Sequence, residues 1–169
     1  TGRYEMILDL IEARKQCLCF FFWKHQRDLL VAEAEKRGIP YCVFDGDAKD
    51  QEREDMVKSF QAGLYRVMFA HPASAGHGLT LTAGDTTIWP SPTYNLSHYV
   101  QGSRRIPRLG QVKKTEEIMV IARGTMEEKV YNMLLDKDAH MKTLLELFDT
   151  LNKDEPKIVN RSKKAKEIA

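Results

Sequence analysis

Leu8 and Ile11, with neighbouring apolar residues across 4–15, recur at helical spacing and predict an opening helix. Cys17-Leu-Cys-Phe-Phe-Phe-Trp23 is then apolar without interruption, the pattern of a strand buried on both faces. Residues 24–37 carry Leu29, Leu30, Ala32 and Ala34 and are stopped by Gly38, so a second helix follows. A short strand is predicted at 40–44 and an Asp45-Gly46-Asp47 turn after it. Residues 49–61 form an amphipathic helix with Met56, Val57 and Phe60 inward. Strands at 65–70 and 86–89 flank a glycine-containing loop, 71–84. Pro90 and Pro92 punctuate the next loop, and Asn95 is placed to cap a helix running to about residue 104. Pro107 forbids a regular continuation, because its ring clashes with the carbonyl one turn back. A fifth strand is predicted at 117–122. Thr125-x-x-Glu128 has the form of a capping box, opening a helix with Val130, Met133, Leu134, Met141, Leu144, Leu145 and Phe148 at three-four spacing.

Strands thus alternate with helices, which calls for an α/β sandwich: a mainly parallel sheet of five or more strands between two helical layers. In such sheets ligands gather at the loops after the carboxyl ends of the strands. Those loops are 23–24, 44–49, 71–84, 90–95 and 123–125. Residues 1–150 read as one domain. Residues 151–169 read as a basic, flexible tail, with Lys153, Lys157, Arg161, Lys163, Lys164 and Lys166 and few apolar positions.

Composition narrows this only modestly. With 43% hydrophobic and 30% charged residues, the 169-residue chain can build a core and stay soluble. Its net charge of +2 does not announce a nucleic-acid binder, so any electrostatic role must be local. No apolar run reaches the length of a membrane span. The chain opens on Thr1-Gly2-Arg3 rather than on Met or a signal peptide, as a piece of a longer cytoplasmic protein would. Cys17, Cys19 and Cys42 read as reduced core thiols, and Cys17-x-Cys19 lacks the second ligand pair of a zinc site, so no metal site is expected.

Several chemistries are excluded by absence from the sequence. There is no G-x-x-x-x-G-K-[ST] phosphate loop, and no Asp-Glu pair follows a strand to hold magnesium. No G-x-S-x-G elbow and no H-E-x-x-H occur. What is present is Gln101-Gly-Ser-Arg-Arg-Ile-Pro-Arg-Leu-Gly-Gln111, in which Arg104, Arg105 and Arg108 are followed by Lys113 and Lys114 with no acid between. Arginine suits planar, multidentate contact with phosphate oxygens, and one beside a transferring phosphoryl group neutralises the charge that develops there. A solvated basic face is the plainer reading of such a run, but Pro107 and Gly110 fix the backbone in a way that solubility does not require. Ser74-Ala-Gly-His-Gly-Leu-Thr-Leu81 offers two hydroxyls and two glycines that allow close backbone approach, or simply a tight turn. Asp45-Gly46-Asp47 with Arg53 downstream reads alone as a turn and a surface arginine. His71 and His77 fall in the loop after the third strand, whereas His25 and His98 suit packing or solvent contact. Trp23 and Trp89 end strands and cap the core.

In this order, these segments resemble the C-terminal RecA-like lobe of superfamily-two helicases, specifically the Swi/Snf-type ATP-dependent DNA translocases, in a form closest to bacterial or phage members. The resemblance covers about residues 1–150, and the segment 101–111 is its most specific part. It implies that Arg105 and Arg108 reach ATP phosphates across an interlobe cleft, with Gln101, Gly76 and Gly78 beside the nucleotide. It implies that Ser74, His77, Thr80 and Arg53 lie along the DNA track. ATP and magnesium would be held mainly by an N-terminal RecA-like lobe of the same polypeptide, which accounts for the missing phosphate loop. The partner would be DNA, duplex and sequence-tolerant, with no membrane, in the cytoplasm of a bacterial or phage-infected cell. The chain departs from the family at Arg104 for Asp, Pro107 for His, Thr80 for Asn, Ser91 for an acid and Leu96 for Pro. Two other classes stay open: a non-catalytic nucleic-acid or protein interaction module with the same fold, supported by the departures at Arg104, Thr80 and Ser91, and an unrelated parallel-sheet enzyme whose basic loop binds a small phosphorylated substrate.

Overall fold

The computed structural model describes residues 2–46, 48–74, 81–93, 95–103 and 114–154, with residues 141–154 described by their backbone alone. Five strands form the sheet: β1 (Cys17–Phe20), β2 (Tyr41–Phe44), β3 (Val67–Ala70), β4 (Thr86–Trp89) and β5 (Glu116–Met119). Their order is β2-β3-β1-β4-β5 and every pairing is parallel. Central β1 sets the register, with Cys17 opposite Val67 on one side and Thr86 on the other. Because side chains alternate across a strand, β1 and the residues after it feed both layers of the core. Cys17, Cys19 and Phe21 join one cluster, and Leu18, Phe20 and Phe22 the other.

Two helical layers cover these faces. α1 (Arg3–Glu12) and α2 (Lys24–Arg37) contribute Ile7, Leu8, Ile11, Leu30 and Ala34 to the first cluster. α3 (Asp50–Gln61) and α4 (Leu96–Ser103) bring Met56, Val57, Phe60 and Tyr99 to the second. The arrangement is the expected three-layer α/β sandwich. α5 (Met126–Asp154) buries Val130 and Leu134 and continues through the first four residues of the segment read as a tail.

The strands are shorter than their apolar runs. β1 stops at Phe20 because Gln26 Oε1 captures the Phe22 amide at 2.9 Å, which turns the chain into α2. α2 ends on Gly38 in the left-handed conformation (φ +66°), as its position in the sequence predicts. α5 opens differently from the predicted box. Thr125 Oγ1 accepts from the Glu127 amide at 3.2 Å, and Glu128 Oε2 accepts from Gly124 rather than from Thr125. The reciprocal pair is shifted by one residue because the Thr125 hydroxyl also donates to the Ala122 carbonyl at 2.7 Å. Ion pairs tie the layers together at their rims. Arg3 grips Glu127 through both carboxylate oxygens at 2.6 and 2.7 Å, joining α1 to α5. This holds the Glu127 carboxyl below the usual range. Among the described residues, no helix is long and apolar enough to cross a membrane.

Candidate functional site

Parallel pairing brings the carboxyl ends of all five strands to one edge of the sheet, and the side chains there come from sequence-distant segments. Asp45, directly after β2, is the first meeting point. Arg27 Nη1 of α2 reaches its Oδ2 at 3.0 Å, and Arg53 Nη2 of α3 donates to its carbonyl at 3.0 Å. The Arg53 guanidinium also lies over the Phe44 ring, 5.4 Å from its centroid, a cation–π contact. One of its donors, Nε, is buried with no hydrogen-bond partner among the described residues. A Cβ added at Gly46 would come within 3.9 Å of Ser74 Oγ, so the β2–α3 turn and the loop after β3 lie side by side.

His71 follows β3. Its amide donates to the Phe44 carbonyl at 3.1 Å, and its Nδ1 accepts from the Ala73 amide at 3.2 Å. That second bond assigns the proton of the neutral ring to Nε2. The ring lies edge-on to Phe21 and to His98 of α4, with centroids 5.9 and 6.2 Å away. Burial, together with the neighbouring imidazole, lowers its pKa, against the opposing pull of Asp45. His71 is therefore held neutral, a hydrogen-bonding group rather than a fixed positive charge.

α4 forms the third part of the edge. Thr93 Oγ1 accepts from the Asn95 amide at 3.1 Å, and Asn95 Oδ1 accepts from the His98 amide at 3.3 Å, the N-cap that the sequence predicts. Gln101 is exposed on this helix and donates to Ser97 Oγ at 3.2 Å. Gly102 faces inward, where an added Cβ would meet Trp89 at 2.6 Å and Phe20 at 2.8 Å. The helix thus rests directly on the stacked Phe20–Trp89 pair, whose centroids are 4.4 Å apart. Ser91 lies nearby and accepts from Gln26 Nε2 at 3.3 Å.

Of the residues singled out in the sequence, Arg53 and Ser74 lie at this carboxyl edge, and Gln101 is exposed on α4. Arg105, Arg108, Gly76, Gly78, His77 and Thr80 lie outside the described residues. Trp89 is fully buried as a core residue, whereas Trp23 is 64% exposed at the start of α2 and does not cap the core. A tryptophan preceding a helix N-terminus projects past the last rung of the sheet, which the apolar run could not show. Cys17, Cys19 and Cys42 are buried free thiols, and burial pushes the Cys17 and Cys42 thiols up to about 12. They are core residues with no thiolate to offer. Among the described residues, no three His, Cys, Asp or Glu side chains converge on a metal-sized site. Sequence reading missed Arg27, Gln26 and Glu117. Only Gly102, a glycine inside a predicted helix, carried a signal of close approach.

Comparison with known proteins places this architecture. Residues 2–110 match the family model described as the helicase conserved C-terminal domain. The chain is 31% identical over 135 residues to the Neurospora crassa chromatin-remodeling ATPase INO80, covering 79% of this chain and 7% of that protein. It is 28% identical over 141 residues to the Danio rerio chromodomain-helicase-DNA-binding protein 1-like, covering 83% of this chain and 14% of that protein. The chain therefore spans a small fraction of these relatives' length. Both relatives are eukaryotic, and they lend no support to a bacterial or phage character. In three dimensions the chain superposes on the C-terminal part of the Fun30 ATPase domain with a TM-score of 0.73 at 18% identity, covering 79% of this chain and 45% of that one. The fold is RecA-like, and the chain belongs to the helicase conserved C-terminal domain family.

Proposed function

We propose that this chain is the C-terminal motor lobe of a Swi/Snf-type, ATP-dependent DNA translocase. The observation that carries the reading is the convergence, on one edge of an all-parallel sheet in a helicase-family chain, of the Asp45–Gly46 turn, Ser74 and α4. α4 leads in sequence straight into the arginine segment 104–108. In this reading Arg105 and Arg108 face the phosphates of ATP held with magnesium on an N-terminal lobe, and they neutralise charge as the terminal phosphoryl group departs. Gln101, Gly76 and Gly78 border the nucleotide. Ser74, His77, Thr80 and Arg53 line the DNA track. A neutral His71 beside this track adds hydrogen bonding without a permanent charge. Closing of the two lobes completes the site only when both are aligned on DNA, which makes hydrolysis DNA-dependent. Backbone contacts make binding sequence-tolerant and salt-sensitive.

The test is Arg108→Ala in the intact two-lobe polypeptide. DNA-stimulated hydrolysis should fall by about a thousandfold, with DNA affinity changed little. Parallel loss of DNA binding in a folded variant would instead assign Arg108 to the DNA track. A second reading, an interaction module that retains the fold without turnover, is favoured by Ser91. This residue, where the family has an acid, is held by Gln26.

A further inference from the structure

Glu117 stands on edge strand β5, where a carboxylate ordinarily serves to keep the edge from pairing with another sheet. That role needs no hydrogen-bond partners, yet three donors from two other elements converge on it. Trp89 Nε1 of β4 donates to Oε1 at 2.8 Å, and the Ser103 hydroxyl of α4 donates to the same oxygen. The Tyr99 hydroxyl, one turn earlier on α4, reaches Oε2 at 3.4 Å. Burial and the Glu117 charge push the Tyr99 phenol up to about 12, so it stays a donor. The placement is otherwise unfavourable, because glutamate is poor in strands. Hydrogen bonds to a charged acceptor are about twice as strong as neutral ones and offset that cost.

These contacts meet the packing at Gly102. The absence of a side chain there lets α4 sit against Trp89 and Phe20, while Glu117 holds the indole from its other end and the last residue of α4 by its hydroxyl. Ser103 is the residue from which the chain enters the arginine segment. We propose that Glu117 is a positioning residue for the motor: it fixes the carboxyl end of α4 against Trp89 and so sets the point from which Arg105 and Arg108 are presented. This inference rests on the motor-lobe reading above and adds to it a residue that touches neither nucleotide nor DNA.

The experiment uses the intact two-lobe polypeptide with Glu117→Gln, Glu117→Ala, Ser103→Ala and the Glu117→Ala/Ser103→Ala double variant. Amide exchange and DNA-stimulated ATP turnover are measured on each. Glu117→Ala should accelerate exchange in α4 by about tenfold, with α2 unchanged. It should lower kcat by about ten- to a hundredfold, the usual cost of a misplaced catalytic group, with KM for ATP nearly unaltered. Glu117→Gln retains one acceptor and should recover most of both. Adding Ser103→Ala to Glu117→Ala should change little further, because the two act through one bond. Unchanged α4 exchange in Glu117→Ala overturns the proposal. So does faster exchange with undiminished kcat, which would make Glu117 merely structural. If the unmodified polypeptide shows no DNA-dependent turnover, the motor reading itself fails and this proposal falls with it.

Discussion

At the amino-terminal ends of the strands, polar groups are spent on holding the fold. Arg14 binds Glu116 through two bonds of 2.7 and 3.1 Å and also donates to the Leu10 carbonyl. Arg66 donates to the Arg14 carbonyl at 2.6 Å, and the buried Gln16 amide serves the carbonyls of Phe60 and Tyr65 at 2.6 and 3.0 Å. At the carboxyl ends Arg27 is committed to Asp28 and Asp45, but other groups are held less fully. Arg53 keeps a buried Nε without a partner among the described residues, His71 is half-buried, and Trp23 faces outward. A buried donor left without a partner costs stability. The contrast agrees with the proposed site lying at the carboxyl end of the sheet.

Substitutions at the amino-terminal end should therefore cost stability alone, and those that unseat α4 should cost activity as well. Gly102→Ala should have the largest effect. In an open helix this change stabilises, by about 1 kcal/mol. Here the new methyl meets two buried rings, so a loss of about 2–3 kcal/mol is expected from overpacking. Denaturant unfolding measures it, and turnover by the intact polypeptide should fall as well. Gain of stability would mean that α4 is not seated on Trp89. Gln16→Leu, at the opposite end, should cost about 1–2 kcal/mol. The Tyr65 carbonyl loses its donor, whereas the Phe60 carbonyl keeps the Gly63 amide. Turnover measured well below the unfolding temperature should be unchanged, and loss of activity in folded Gln16→Leu would blur the contrast between the ends.

The smallest effect concerns pH. The folded pKa of His71 lies below that of the free side chain, so the unfolded chain takes up a proton first as pH falls. Stability should decline as pH drops through about 6.5 and level off below the folded pKa. His71→Gln should flatten that step in the pH dependence of Tm between neutrality and mild acid. A step of the same size in the variant would assign it elsewhere.

Much of the fold was legible in the sequence because it is written locally. The run from Cys17 marked a strand buried on both faces, and Gly38 marked the end of α2. Asn95 marked the start of α4. The strand ends were less legible, because Gln26 stops β1 with a side chain that periodicity cannot register. At the candidate site, the glycine turn, Arg53, Ser74 and Gln101 carried motif signals, and the first three are brought to one edge. Arg27 meets Asp45 across 18 residues, Gln26 meets Ser91 across 65, and Trp89 meets Glu117 across 28. None of those pairs has a signature in one dimension, since each exists only once parallel strands lie side by side. The shifted cap at Thr125 has a similar cause, a competing bond from its hydroxyl to Ala122.

The most direct measurement is ATP turnover by the intact two-lobe polypeptide with and without duplex DNA, beside the 169-residue chain alone. A motor lobe that completes a site held elsewhere predicts strong stimulation by DNA in the intact protein and negligible turnover by the chain alone. Substantial magnesium-dependent turnover by the chain alone, or hydrolysis in the intact protein that ignores DNA, would contradict it.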